Sequence, residues 1–146
     1  MPNHYGYVLL ESEKWWKKRC IQSKAGRTEQ VFVRRGKVGP VKTEQLFFYI
    51  KHPVREFRGK AEFVERKTGN PDQLWNEFGI ETVFELYNDY REFVKGREDV
   101  TFIRLRNLRE LTLPVSAKTF LEKTSGGCML PRGGRYISKE LAGMFL

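Results

Sequence analysis

The sequence predicts an α+β domain: a mixed β-barrel or strongly curved sheet, with flanking helices and a two-helix insertion. Three observations lead there. β-rich segments follow one another without the strand–helix alternation of a parallel sheet. Helical spacing is confined to one segment near the start, an insertion around 70–95 and short closing pieces. The 146 residues carry no internal repeat and no Pro/Gly/Ser-rich linker, so residues 1–146 read as one domain. Forty per cent apolar residues, with 11 Phe, 6 Tyr and 3 Trp, supply a core and exclude wholesale disorder.

Tyr5 to Leu10 is β-rich and ends at Glu11-Ser12. Ser12 suits a helix N-cap, because its hydroxyl accepts from a free amide of the first turn. A helix over about 12–23 follows, carrying Trp15, Trp16 and Cys20 among Lys14, Lys17, Lys18 and Arg19. Neighbours on a helix point about 100° apart, so at most one of the two tryptophans faces the core. A turn through Gly26 leads to a strand over 29–35, in which alternation puts Glu29 on the face of Val31 and Val33, away from Phe32. Leu46 to Ile50 is a continuous apolar run, the mark of a strand covered on both faces, and Pro53 stops it near His52. Phe57 to Arg66 resumes as a strand, where Gly59 and Ala61 signal a bend or a close backbone approach.

Asn70-Pro71-Asp72-Gln73 opens a short helix ending at Gly79. A second helix is expected over about 82–95, with Val83, Leu86, Tyr87, Tyr90 and Val94 on one stripe and Gly96 closing it. Val100 to Leu111 reads as a long strand, Phe102, Arg104 and Arg106 on one face and Ile103 and Leu105 on the other. Short elements over Ser116–Thr124 and Ser138–Phe145 close the chain around a glycine-rich loop.

The charge is uneven. Residues 1–67 hold 16 Lys or Arg against 7 Asp or Glu, whereas residues 68–146 hold 11 of each, so the whole net charge of +9 sits in the first half. Such asymmetry is the footprint of a surface that meets a polyanion, most often nucleic acid. No apolar run approaches the roughly 20 residues of a membrane helix, and the N-terminus lacks the pattern of a secretory signal, so a cytoplasmic protein without membrane contact is expected. Two cysteines 108 positions apart match neither a disulfide framework nor a zinc site, and no metal or cofactor is expected.

Candidate chemistry narrows quickly. There is no Gly-x-Ser-x-Gly elbow, and His4 and His52 are the two histidines, so Cys20 and Cys128 read as small hydrophobes rather than nucleophiles. The glycine pairs 126–127 and 133–134 match no phosphate-loop fingerprint, but Arg132, Arg135 and Tyr136 beside them suit an anionic group. The strongest constellation interleaves basic and aromatic residues: Trp15, Trp16, Lys17, Lys18 and Arg19, followed by Lys24, Arg27, Arg34, Arg35 and Lys37. Lysines and arginines neutralise phosphates, while exposed rings stack on unpaired bases.

Several segments, in order, resemble the PUA-like superfamily and its ASCH and EVE branches. Tyr5 to Ser12 is similar to the first strand of an EVE-type domain. Gly26-Arg27-Thr28-Glu29-Gln30-Val31-Phe32-Val33-Arg34 resembles the ASCH stretch of Gly, a basic residue, Thr and Glu before an apolar strand ending in Arg. Leu46 to Tyr49 followed by Phe57 to Val64 resembles the superfamily's barrel strand with its Gly-x-Ala-x-Val pattern, while Asn70 to Gly96 and Pro131 to Ser138 resemble the helical insertion and closing segment of archaeal ASCH-like proteins without an assigned function.

The resemblance implies a small PUA-like barrel with a cleft between barrel and flanking helices. It also implies RNA binding linked to RNA modification or metabolism, with transfer or ribosomal RNA as partner. The RNA-binding set expected is Lys17, Lys18, Arg19, Arg34 and Arg35 on phosphates, together with Arg27, and Thr28, Glu29, Arg132, Arg135 and Tyr136 lining the cleft. The alternative is an ASCH-type hydrolase of a modified nucleoside or RNA, in which Lys24, Thr28 and Glu29 or Glu62 correspond to the family's Lys, Thr and Glu. Here Arg27 stands directly before Thr28 and Lys24 lies in another register, so no catalytic residue is assigned. A basic face for an acidic protein partner is the third reading.

Overall fold

The structure, a computed structural model, describes residues 4–124 and 133–145. In chain order it contains β1 (Gly6–Glu11), α1 (Glu13–Lys24), β2 (Glu29–Arg35), β3 (Gln45–Ile50), β4 (Glu56–Gly69) and α2 (Pro71–Phe78). A 3-10 turn (Gly79–Glu81) leads to α3 (Tyr87–Val94), β5 (Val100–Ser116), α4 (Ala117–Lys123), β6 (Arg135–Ile137) and α5 (Lys139–Ala142). The strands form one sheet in the order β2-β5-β4-β3-β1-β6, with β1 and β3 parallel and the other pairs antiparallel.

The local signals act as read. The Ser12 hydroxyl accepts from the Trp15 amide, and Asn70 Oδ1 accepts from the Asp72 and Gln73 amides ahead of Pro71 in the first turn. One expectation needs correction. Residues 82–86 are not helical, and α3 begins only at Tyr87. The Thr82 hydroxyl donates to the Gly79 carbonyl and accepts from the Phe84 amide, diverting the backbone from a helical ladder. Val83 and Phe84 are thereby both buried.

The sheet is strongly curled. Laid flat, β1 and β2 would be four steps of about 4.8 Å apart, roughly 19 Å. Yet the guanidinium of Arg19 bonds both the Glu11 carboxylate of β1 and the Val31 carbonyl of β2. Register shifts along β4, between Phe57 and Gly59, Lys60 and Glu62, and Phe63 and Glu65, let that strand bend. The expected barrel is thus a curled six-stranded sheet whose ladder does not close among the described residues.

Three apolar clusters follow from the alternation. Tyr7, Leu9, Phe32, Leu46, Phe48, Ile103 and Leu105 fill the concave face with Trp16 of α1. Phe47, Tyr49 and Phe57 meet Phe120 of α4 and Phe145 on the convex face. The insertion lays Leu74, Val83, Phe84, Tyr90 and Val94 over Val31 and Phe102. Each such side chain contributes about 1.5–3 kcal/mol by burial, which docks two helices of only eight residues that would not persist alone. No helix among the described residues is long and apolar enough to cross a membrane.

Candidate nucleic-acid interface

The C-terminal ends of β1 and β2, the start of α1 and the insertion enclose a cleft of about 520 Å³. The sheet contributes Phe32, Arg34 and Arg35, and Lys51 enters just beyond β3. Trp15 comes from α1, while Phe84, Phe93 and Arg97 come from the insertion and the turn after it. A concave, partly apolar site with a few converging polar groups is what a ligand the size of a nucleotide requires.

Its electrostatics are one-sided. Arg34, Arg35, Lys51 and Arg97 line the cleft, and among the described lining residues the carboxylate is that of Glu11. Arg19 cancels that charge from inside: its Nε donates to Glu11 Oε1 at 3.0 Å and its Nη2 to Oε2 at 2.8 Å. Arg19 Nη1 also donates to Gln30 and to the Val31 carbonyl. The field left in the cleft is positive.

Ring faces lie beside these cations. The Arg35 guanidinium sits 4.9 Å from the Phe93 ring centroid. Lys14 and Lys18 each stand 5.2 Å from the Trp15 centroid, and Trp15 meets Phe84 at 4.9 Å. Burial draws the half-buried Arg34 guanidinium below its ordinary pKa, with Tyr7 opposing and Arg35 adding to the effect. Even so depressed, an arginine stays charged at neutral pH.

The residues expected at the interface are distributed unevenly. Arg34 and Arg35 line the cleft; Lys18 flanks it over Trp15; Lys17 is exposed one turn from Glu13. Arg19 is corrected outright: only 1% exposed, it ties β1 to β2 and offers no surface for a phosphate. Arg27 holds Gln22 and the Thr82 carbonyl, joining α1 to the insertion. Thr28 and Glu29 are exposed, Glu29 pairing with Arg104 at 3.3 Å.

Arg135 lies over Phe120, whereas Tyr136 stacks on His4 at 3.9 Å and accepts from the Val41 amide. These two therefore stand on opposite faces of β6, away from the cleft. Arg132 lies outside the described residues. Lys51, Phe84, Phe93 and Arg97 were missed, because each follows or sits inside an element with nothing in local spacing to mark it. Trp15 and Trp16 divide as helical geometry requires: Trp16 is buried, Trp15 lines the cleft.

Asn107 links two residues of the hydrolase reading, its backbone amide donating to the Thr28 carbonyl at 3.0 Å and its side chain to Glu62 at 2.8 Å. Lys24 pairs with Glu110 at 3.4 Å, while Glu62 is bonded by Arg106 and Asn107. The hollow that Glu62 lines contains neither Lys24 nor Thr28.

No family model and no curated relative matches the chain. Solved structures do. A crystal structure of a mutant of ZmASCH from Zymomonas mobilis superposes with a TM-score of 0.79 at 22% identity, covering 99% of this chain and 96% of that one. A second ZmASCH mutant gives 0.76 at 20% identity, covering 96% and 95%. ASCH from the same organism gives 0.74 at 19%, covering 96% and 92%.

The chain has the fold of these ASCH structures. Coverage from both sides means that the superposition runs over nearly the whole of each chain. The basic cleft lies between the curled sheet and its flanking helices, but Thr28, Glu29, Arg135 and Tyr136, expected around a cleft, do not line this one.

Proposed function

We propose that the protein binds RNA, holding phosphates on Arg34, Arg35, Lys51 and Arg97 and an unpaired base against Trp15. One observation carries this reading: four cations converge on a ring-lined cleft whose acidic residue is already neutralised by a buried arginine. A guanidinium gives a phosphate two parallel donors, and an aromatic face accepts any base. The ASCH fold and the confinement of the excess charge to the first half support the same partner. Such a role belongs in the cytoplasm, with transfer and ribosomal RNA the first classes to test.

Binding of labelled transfer RNA and of a single-stranded oligonucleotide at two salt concentrations provides the test. Wild-type protein is expected to bind at micromolar concentration or tighter, with steep weakening by salt. Arg35→Gln with Arg97→Gln should weaken binding and flatten the salt slope by about one unit per lost phosphate contact. Unchanged affinity and slope in that double variant would remove the cleft from the RNA path. Strong binding of an acidic protein that RNA fails to displace would favour the protein-partner reading.

A further inference from the structure

A second hollow lies elsewhere on the molecule, between the convex side of β4 and β5 and the helix α5. Its volume is about 410 Å³, and it is lined by Tyr5, Phe47, Lys60, Glu62, Arg109 and Lys139 among others. It opens near the starts of β1 and β3, whereas the basic cleft takes residues from their far ends.

The arrangement of charge there is unusual for a sheet. Lys60 and Arg109 are register partners across β4 and β5, so two positive side chains stand directly opposite each other. Like charges in that position destabilise a strand pair. Glu62 feels the charge of Arg109 and offsets part of it, but the hydrogen bonds of the neighbouring carboxylates go elsewhere. Glu62 accepts from Arg106 Nε at 3.1 Å and Asn107 Nδ2 at 2.8 Å, and Glu110 is turned to Lys24 at 3.4 Å. Lys139 adds a third positive charge from α5, 5.9 Å from the Tyr5 ring. Asn107 reaches Glu62 from a left-handed backbone conformation, φ 56°, which asparagine tolerates better than most residues.

We propose that this hollow is a second anion site, taking a ribonucleotide either free or as one residue of a chain. The phosphate lies between Lys60, Arg109 and Lys139, which relieves the repulsion that the sheet otherwise carries. Glu62 keeps lone pairs beyond those used by Arg106 and Asn107, and these accept the ribose hydroxyls. Tyr5, partly exposed at the rim, gives the base a ring face. The site is independent of the cleft read above as the RNA interface.

The experiment titrates the full, isotope-labelled chain with adenosine 5′-monophosphate, inorganic phosphate and a single-stranded oligonucleotide, following backbone amide resonances. Adenosine monophosphate is expected to move the amides of Lys60, Glu62, Arg109 and Lys139, and inorganic phosphate to move a subset of them. Lys60→Gln with Arg109→Gln should weaken that response at least tenfold, whereas Arg35→Gln with Arg97→Gln should leave it intact. A thermal melt of the Lys60/Arg109 variant at or above the wild-type midpoint confirms that it is folded and that the repulsion was real.

A response of these amides to the oligonucleotide, with none to the mononucleotide, identifies the ligand as a residue of a chain. Silence of these amides to all three probes overturns the proposal, as does a response confined to the cleft of Arg35 and Arg97. In the latter case RNA binding at the cleft stands while the second site falls.

Discussion

Arg19 and Glu11 form a two-pronged ion pair, at 3.0 and 2.8 Å, with side chains only 1% and 4% exposed. The same guanidinium reaches Gln30 at 2.9 Å and the Val31 carbonyl at 3.2 Å. One side chain of α1 thus spans the seam between β1 and β2 that the sheet's own ladder leaves open. It also sits beneath the basic cleft and removes the negative charge of Glu11 from it. Holding the curl and setting the sign of the cleft's field are therefore tasks of a single residue.

Arg19→Met should cost about 3–5 kcal/mol of folding stability, because it strands the Glu11 carboxylate in a buried site. Urea denaturation measures this directly. Adding Glu11→Leu should recover much of the loss, since the uncompensated charge is then gone. If the single variant is as stable as wild type, Arg19 is not the tie across the seam.

Gly59 lies against the indole of Trp16, and a methyl group there would overlap the ring. Gly59→Ala should therefore destabilise by about 1–3 kcal/mol through overpacking. Pairing it with Trp16→Leu should reduce the loss, which a double-mutant cycle detects.

Trp15→Ala separates stacking from charge at the cleft. Affinity for single-stranded RNA should fall by about 1–3 kcal/mol, while the dependence on salt stays as in wild type. A changed salt slope with unchanged affinity would assign Trp15 to the positioning of Lys14 and Lys18 instead.

Cys20 is a thiol held in reserve from chemistry. Burial, with Glu110 adding to it, pushes its pKa up to about 11 from an ordinary 9.0. At pH 8 its thiolate fraction, and hence its alkylation by iodoacetamide, should be about a hundredfold below that of an unperturbed thiol. Mass-spectrometric mapping isolates the site from Cys128. The folded state favours the protonated thiol, so this group's contribution to stability is complete below about pH 9 and is lost as pH rises through about 11.

Much of the architecture was legible in local signals. The caps at Ser12 and Asn70, the apolar run from Leu46 to Ile50 and the alternation from Phe102 to Leu105 each act over a few residues. The non-helical stretch from Thr82 to Leu86 escaped detection because its apolar spacing also fits a helix. Only the hydroxyl of Thr82, bonding Gly79 and Phe84, decides otherwise.

For the candidate site, sequence marked Trp15, Arg34 and Arg35 but put Arg19 on the surface. Trp16 and Arg19 lie three residues apart and so share a helix face. That spacing was the available sign that Arg19 goes inward with Trp16. A charged residue on a core-facing stripe is settled by its partners, however, and Glu11 and Gln30 come from two other elements.

By itself, then, the sequence determined most of the elements, the α+β class and the concentration of positive charge in the first half. Those depend on periodicity, capping and composition, which act between neighbours along the chain. Tertiary structure alone decided that the sheet curls without closing its ladder and that Arg19 is structural. It also decided that Lys51 and Arg97 join Arg34 and Arg35 around one cleft. These outcomes depend on strand order and on contacts between residues of different elements, which no local pattern encodes.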